Sequence, residues 1–183
     1  MGGATALCLV GNTSQARAAV LVLVDIVPRI NKLGGAKIRE FMNRHVDGFA
    51  TLTDAADAVH AYNPHRMRPA NADGLMKNLR RRVDGRFYWH WDPRLIKGAD
   101  GVEPPFEIEQ LTRSADAVRI PTLLVRGLRS DIVTDEGVAD LRSRIPHMEV
   151  IDVPGAGHMV AGDKNDAFNQ GVVEFLRRQM PVT

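Results

Sequence analysis

The chain has 183 residues, with 44% apolar and 25% charged residues and a formal net charge of +2, as in an ordinary globular protein. This small charge gives no general attraction to nucleic acid or anionic membranes, and the longest apolar run, 18–27, is too short to span a bilayer. One cysteine, Cys8, excludes an internal disulfide and is typical of a reducing compartment. We therefore expect a cytoplasmic protein with no nucleic-acid partner and no membrane partner.

The first segment combines small residues with an apolar run. Gly2, Gly3 and Ala4 add little side-chain thickness, which favours a helix lying very close to a sheet. The run 18–27, rich in valine and leucine, then ends at Pro28 without alternating with polar residues. Such a run is typical of a strand buried on both faces between helices. Residues 1–28 are therefore predicted to be a helix and a strand of the core.

The middle of the chain, residues 29–118, has a different pattern. Short amphipathic helical segments are separated by turns such as Asn63-Pro64, and Thr51 followed by Asp54 resembles a capping box at the start of one of them. Arg80 to Arg82 is predicted to be a solvated helix end. Trp89 and Trp91 belong to an aromatic cluster that either fills the core of this region or lines a substrate pocket. We predict a helical lid inserted between two parallel strands.

The last part of the chain, residues 119–183, alternates strands and helices. Buried strands are predicted at 120–127 and 148–154, with one helix at 135–144 and another at 164–180. This βαβ order indicates an α/β fold with a parallel sheet, and these residues are predicted to complete its core.

Two loops follow these strands, where parallel α/β proteins carry their active residues. Asp131 lies in the loop after the first strand and His158 in the loop after the second. A histidine base needs a carboxylate on its far ring nitrogen, which fixes the tautomer and stabilises the imidazolium. We predict that Asp131 is the catalytic acid and that His158 is the base.

Three segments resemble enzymes of the α/β-hydrolase fold. Residues 121–131 and Gly155 to His158 resemble the acid and histidine segments of that family. Met1-Gly2-Gly3 resembles the residues that follow the serine of the family's Gly-x-Ser-x-Gly nucleophile elbow. The resemblance implies a three-layer α/β-hydrolase fold whose nucleophile precedes Met1 and is missing from this chain. It also implies that the Met1 N–H is an oxyanion donor and that Asp25 is the alternative acid, because some relatives place the acid after that strand.

The resemblance implies a serine hydrolase similar to lid-bearing esterases and to cofactor-free, non-haem haloperoxidases. The expected partner is a small-molecule substrate, an ester, a peroxide or an epoxide, and a dimer is an open alternative. Asp25, Trp89, Trp91 and Met159 are the candidate pocket residues. No cofactor is expected, nor a metal, because the other histidines lack partners at ligand spacing. The alternatives are an epoxide hydrolase or, in another class, a non-catalytic remnant or interaction module, since without the nucleophile the isolated chain is expected to be inactive.

Overall fold

The computed structural model describes residues 1–13, 18–64, 71–92 and 107–181, with the side chain of Asp163 left aside. The chain divides into two compact units. The first, here called the core unit, comprises Met1–Gly35 and Phe106–Thr183, and the second, the insert unit, comprises Ala36–Pro105. Residues 65–70 and 93–106 of the predicted lid lie outside the described ranges.

The strands, in chain order, are β1 (Leu21–Val24), β2 (Leu79–Arg81), β3 (Phe87–Trp89), β4 (Thr122–Gly127) and β5 (Glu149–Val153). The helices are α1 (Gly2–Asn12), α2 (Lys32–Arg44), α3 (Leu52–Tyr62), α4 (Ile108–Asp116), α5 (Asp135–Arg144), α6 (Val160–Asp163) and α7 (Asn165–Gln179). A 3₁₀ helix occupies Asp73–Lys77. None of the described helices combines the length and the apolar character needed to cross a membrane.

The core unit is built on a parallel sheet in the order β1-β4-β5. Every residue of the central strand β4 is buried, which confirms the predicted two-faced strand. Leu123 and Val125 pack with Phe175 of α7, while Leu124 points to the opposite face because side chains alternate along a strand. The predicted α/β class is therefore confirmed, with helices packed against a buried parallel sheet.

Helix α1 packs against β1 and α4 through its small residues. A Cβ atom on Gly11 would lie 2.2 Å from the carbonyl oxygen of Ser114, so only glycine allows the two helices this approach. The Ser114 hydroxyl lies 3.2 Å from Oδ1 of Asn12 and 3.7 Å from Sγ of Cys8. The predicted close packing of the first helix is present, and Cys8 is part of that packing.

The insert unit is shorter than the predicted lid, because residues 29–35 and 107–118 pack with the core unit. Leu111 and Ala115 of α4 are buried there. Inside the insert unit, α3 begins with the capping box expected from the sequence: the Thr51 hydroxyl accepts from Asp54 N and the Asp54 carboxylate accepts from Thr51 N. A role for this unit as a lid stays a prediction.

The prediction of a helical insert was wrong at 79–89, where β2 and β3 form an antiparallel hairpin. Asp84-Gly85 closes the hairpin, with Gly85 at a φ of +81° that glycine adopts without strain. Three aromatic residues at 87–89 favour a strand over a helix, since large rings pack well on a pleated surface. The segment Arg80 to Arg82, predicted to be a helix end, instead contains the last two residues of β2 and the residue after that strand.

We expect Gly11→Ala to lower the free energy of unfolding by about 1–3 kcal/mol, the usual cost of forcing extra volume into a packed contact. Gly2→Ala, in the same helix, is the matched control because, among the described residues outside the adjoining turn of α1, no atom lies within 4 Å of its Cβ position. Since alanine favours helix over glycine, the control should be neutral or slightly stabilising. Urea unfolding followed by circular dichroism measures both, and equal effects would contradict the close approach of α1 and α4.

Candidate active site

Asp25 directly follows strand β1 and has an unusual backbone conformation. Its N–H still donates to the Val125 carbonyl at 2.8 Å, but its φ of +48° lies in the left-handed region. Few residues other than glycine adopt that region, although aspartate tolerates it better than most. The residue is only 1% exposed. A buried carboxylate on a strained backbone is typical of a functional site.

Three groups surround the Asp25 carboxylate. Oδ1 accepts a hydrogen bond from the Gly127 N–H at 3.1 Å. Oδ2 accepts one from the Ser130 hydroxyl at 2.6 Å and lies 2.8 Å from Nδ1 of His158. Because a buried charge is costly unless it is hydrogen-bonded, this set of partners explains how the carboxylate is accommodated under the surface.

His158 connects this buried carboxylate to the outside. It lies between β5 and α6, and its side chain is 41% exposed while that of Asp25 is fully buried. A carboxylate facing Nδ1 favours the neutral tautomer with the proton on Nδ1. The lone pair of Nε2 is then available to accept a proton from another group.

The loop that carries His158 is held against the end of β4. A Cβ atom on Gly127 would lie 2.4 Å from the Gly157 carbonyl oxygen and 2.5 Å from that of Ala156, so only glycine permits the contact. The Arg129 N–H donates to Ala156 at 2.8 Å. Gly127 therefore contacts both residues' segments. Its N–H donates to the Asp25 carboxylate, and because it has no side chain, the loop that carries His158 can pack directly against it.

An ion pair joins the two strands that lead into these loops. Arg126 of β4 donates to both carboxylate oxygens of Asp152 of β5, at 2.9 and 3.0 Å, and also contacts Asp135. Arg126 and Asp152 are register partners in the sheet. The hydrogen bonds from Arg126 to Asp152 raise the pKa of the guanidinium, so it stays charged. This pair fixes the register at the edge where the site lies.

The predicted pairing of His158 with Asp131 was wrong, because the structure places Asp25 on Nδ1. The reason is the sheet order: the histidine loop crosses the end of β4 and reaches the end of β1 beyond it. The backbone of Asp131 lies instead against the start of α2, where its carbonyl oxygen is 1.9 Å from the Cβ position of Gly34. The sequence did contain a signal for this pairing, because a carboxylate at the end of an apolar strand predicted to be buried, as Asp25 is, requires a hydrogen-bonding partner.

Two other predicted residues lie at or next to this edge. Met1 precedes α1 and is 66% exposed, and a Cβ atom on Gly3 would lie 2.7 Å from Cγ2 of Ile26, the residue after Asp25. The start of α1 therefore lies beside the end of β1. Met159 follows the histidine directly and is 47% exposed. Their roles as oxyanion donor and pocket residue stay predictions.

The two tryptophans belong to the insert unit. The ring of Trp89 packs edge-on against Phe49 at 5.4 Å and near Phe41 at 6.0 Å, so it is part of the aromatic core of that unit. Its buried indole N–H has no acceptor among the described residues. Trp91 is partly buried. A pocket role for either ring stays a prediction, and the described ranges contain no group of three or more His, Cys, Asp and Glu side chains that could hold a metal ion.

We expect Asp25→Asn to reverse the tautomer of neutral His158, and Asp131→Asn to leave it unchanged. With its carbonyl accepting from Gly127, the asparagine amide would direct an N–H at Nδ1, so the imidazole proton would move to Nε2. The ¹⁵N NMR shifts of the two ring nitrogens, measured on the neutral ring, distinguish the tautomers. A reversal in Asp131→Asn together with none in Asp25→Asn would restore the original assignment.

Comparisons with known proteins agree with the fold described above. No family model matches the sequence. An esterase of Mycobacterium tuberculosis is 29% identical over 183 residues, 97% of this chain and 57% of the relative. A 3-hydroxybutyrate-oligomer hydrolase of Cupriavidus necator is 26% identical over 167 residues, 86% of this chain and 56% of the relative.

Solved structures give the same fold. The Mycobacterium tuberculosis esterase structure superposes with a TM-score of 0.70 at 27% identity, covering 95% of this chain and 57% of that one. The structure of an E-2-(acetamidomethylene)succinate hydrolase superposes with a TM-score of 0.78 at 18% identity, covering 96% of this chain and 63% of that one. The chain thus spans somewhat more than half the length of the proteins that it matches. Together with the sheet order, these likenesses identify the chain as part of an α/β-hydrolase-fold protein, similar to hydrolases and esterases.

Proposed function

We propose that this chain carries the histidine and acid of a serine esterase site, with His158 as the general base and Asp25 as the acid that orients it. The 2.8 Å contact between Nδ1 and a fully buried carboxylate oxygen is the observation that carries the proposal. It leaves Nε2 on the exposed side, where a nucleophile and a substrate have access.

The chemistry follows from that orientation. A serine hydroxyl attacks the ester carbonyl while Nε2 of His158 removes its proton, and the Asp25 carboxylate stabilises the imidazolium that forms. The imidazolium then gives this proton to the departing alkoxide as the C–O bond breaks. Water attacks the acyl-enzyme with the same histidine as base, which releases the acid and returns the serine. No cofactor enters these steps.

The nucleophile and the oxyanion donor are assigned by resemblance. Met1-Gly2-Gly3 resembles the residues after an elbow serine, so the serine would precede Met1 in the longer protein. The Met1 N–H would then be a peptide donor at the start of α1, where the first N–H groups of a helix have no partner within the helix. Such donors stabilise the oxyanion that develops on an ester carbonyl.

The substrate class that we favour is a carboxylic ester with an apolar acyl group. Leu128, which follows Gly127, and Met159, which follows His158, are 53% and 47% exposed. Apolar side chains around a few polar groups are typical of small-molecule sites. The two relatives named as an esterase and as a 3-hydroxybutyrate-oligomer hydrolase also favour an ester over an epoxide or a peroxide.

The test uses two proteins, the 183-residue chain and a chain extended through the elbow serine and the strands before it. We expect the extended protein to hydrolyse nitrophenyl esters and the shorter chain to show negligible turnover. His158→Ala in the extended protein should lower kcat by about 10³- to 10⁶-fold, as removal of a base from a triad does.

His147→Ala is the matched control, because that histidine contacts the Ile120 carbonyl away from the site. It should leave kcat unchanged. Ester hydrolysis that survives His158→Ala would contradict the proposal. Turnover of an epoxide or a peroxide alone would favour those alternatives, and no turnover of any of these substrates by the folded, extended protein would favour a non-catalytic module.

A further inference from the structure

The Ser130 hydroxyl contacts the acid–histidine pair without facing the reacting side of the histidine. It lies in the loop between β4 and α5, and its oxygen is 2.6 Å from Oδ2 of Asp25. That oxygen is the same one that faces Nδ1 of His158. The sequence pattern drew attention to its neighbour Asp131, and no step of the proposed reaction uses Ser130.

The hydrogen-bond pattern fixes the direction of the Ser130 O–H. A hydroxyl has one hydrogen to donate and two lone pairs to accept with. Both Ile132 N–H and Val133 N–H donate to the Ser130 oxygen at 3.2 Å. The hydrogen is therefore left for the shortest contact, which is with Asp25. The backbone of the loop in this way sets which way the hydroxyl points.

The carboxylate of Asp25 is consequently held from both ends. The Gly127 N–H fixes Oδ1 and the Ser130 O–H fixes Oδ2, which prevents rotation of the carboxylate plane. We propose that Ser130 is a positioning residue, which keeps Oδ2 directed at Nδ1 of His158 and so keeps the imidazole in one tautomer. This role concerns the pair itself and holds for the 183-residue chain independently of ester hydrolysis.

Ser130→Ala tests the role in the chain as it exists, with ¹⁵N-labelled histidine observed by NMR. We expect the ratio of the Nδ1–H to the Nε2–H tautomer of neutral His158 to fall several-fold, because the carboxylate loses one of its two fixed ends. Ser130→Thr keeps a hydroxyl and should restore the ratio. Ser143→Ala is the matched control, since that exposed hydroxyl donates to the Asp140 carbonyl within α5, and it should leave the ratio unchanged.

A purely structural serine would give a different result. Loss of its bonds to the loop backbone would lower the melting temperature but leave the tautomer ratio of His158 unchanged, and this outcome overturns the proposal. If Ser130→Ala does not fold, Ser130→Cys replaces it, because a thiol fills a similar space and is a weak donor. A several-fold fall in the ratio in the cysteine variant supports the role, and an unchanged ratio refutes it.

Discussion

The site depends on one buried carboxylate that must remain hydrogen-bonded. The Asp25 side chain is fully buried. Loss of any one of its hydrogen bonds would lower the free energy of unfolding by about 1–3 kcal/mol, or by more because the group is charged. Its donors come from three places in the chain: the end of β4, the loop before α5 and the loop after β5. A single charge thus requires three separate segments to meet at the carboxyl end of the sheet.

Glycine and tight backbone contact make that meeting possible. The histidine loop approaches the end of β4 at Gly127 more closely than any side chain would allow, and the start of α1 approaches Ile26 at Gly3. Both contacts lie next to Asp25 in space or in sequence. At Gly127 the contact joins two backbones, which are less easily displaced than flexible side chains, whereas at Gly3 the helix backbone meets the side chain of Ile26.

The acid–histidine pair is one of several parts that a serine hydrolase needs. A carboxylate on Nδ1 prepares Nε2 to accept a proton, but turnover also requires a nucleophile and an oxyanion donor at the same edge. The core unit contains the histidine and the carboxylate among its described residues, and the start of α1 lies beside the end of β1. The insert unit has its own aromatic core around Trp89 and Phe49, so it does not need the sheet in order to bury these rings.

The sequence by itself determined the three parallel strands, the glycine-rich first helix, the capping box at Thr51 and the placing of His158 on a strand-end loop. These features depend on local periodicity and on residue type, both of which can be read directly from the amino-acid sequence. The predicted burial on both faces was right for β4 but wrong for β1 and β5, which are only partly buried. Only the tertiary structure decided which carboxylate meets the histidine, because Asp25 and Asp131 both follow strands and differ in which loop crosses which strand end. It also decided the hairpin at 79–89, where a Gly85 turn and cross-strand packing outweighed a helical pattern. Contacts between distant segments depend on the order of the strands in the sheet and on where two backbones come close together. Neither can be inferred from the local sequence.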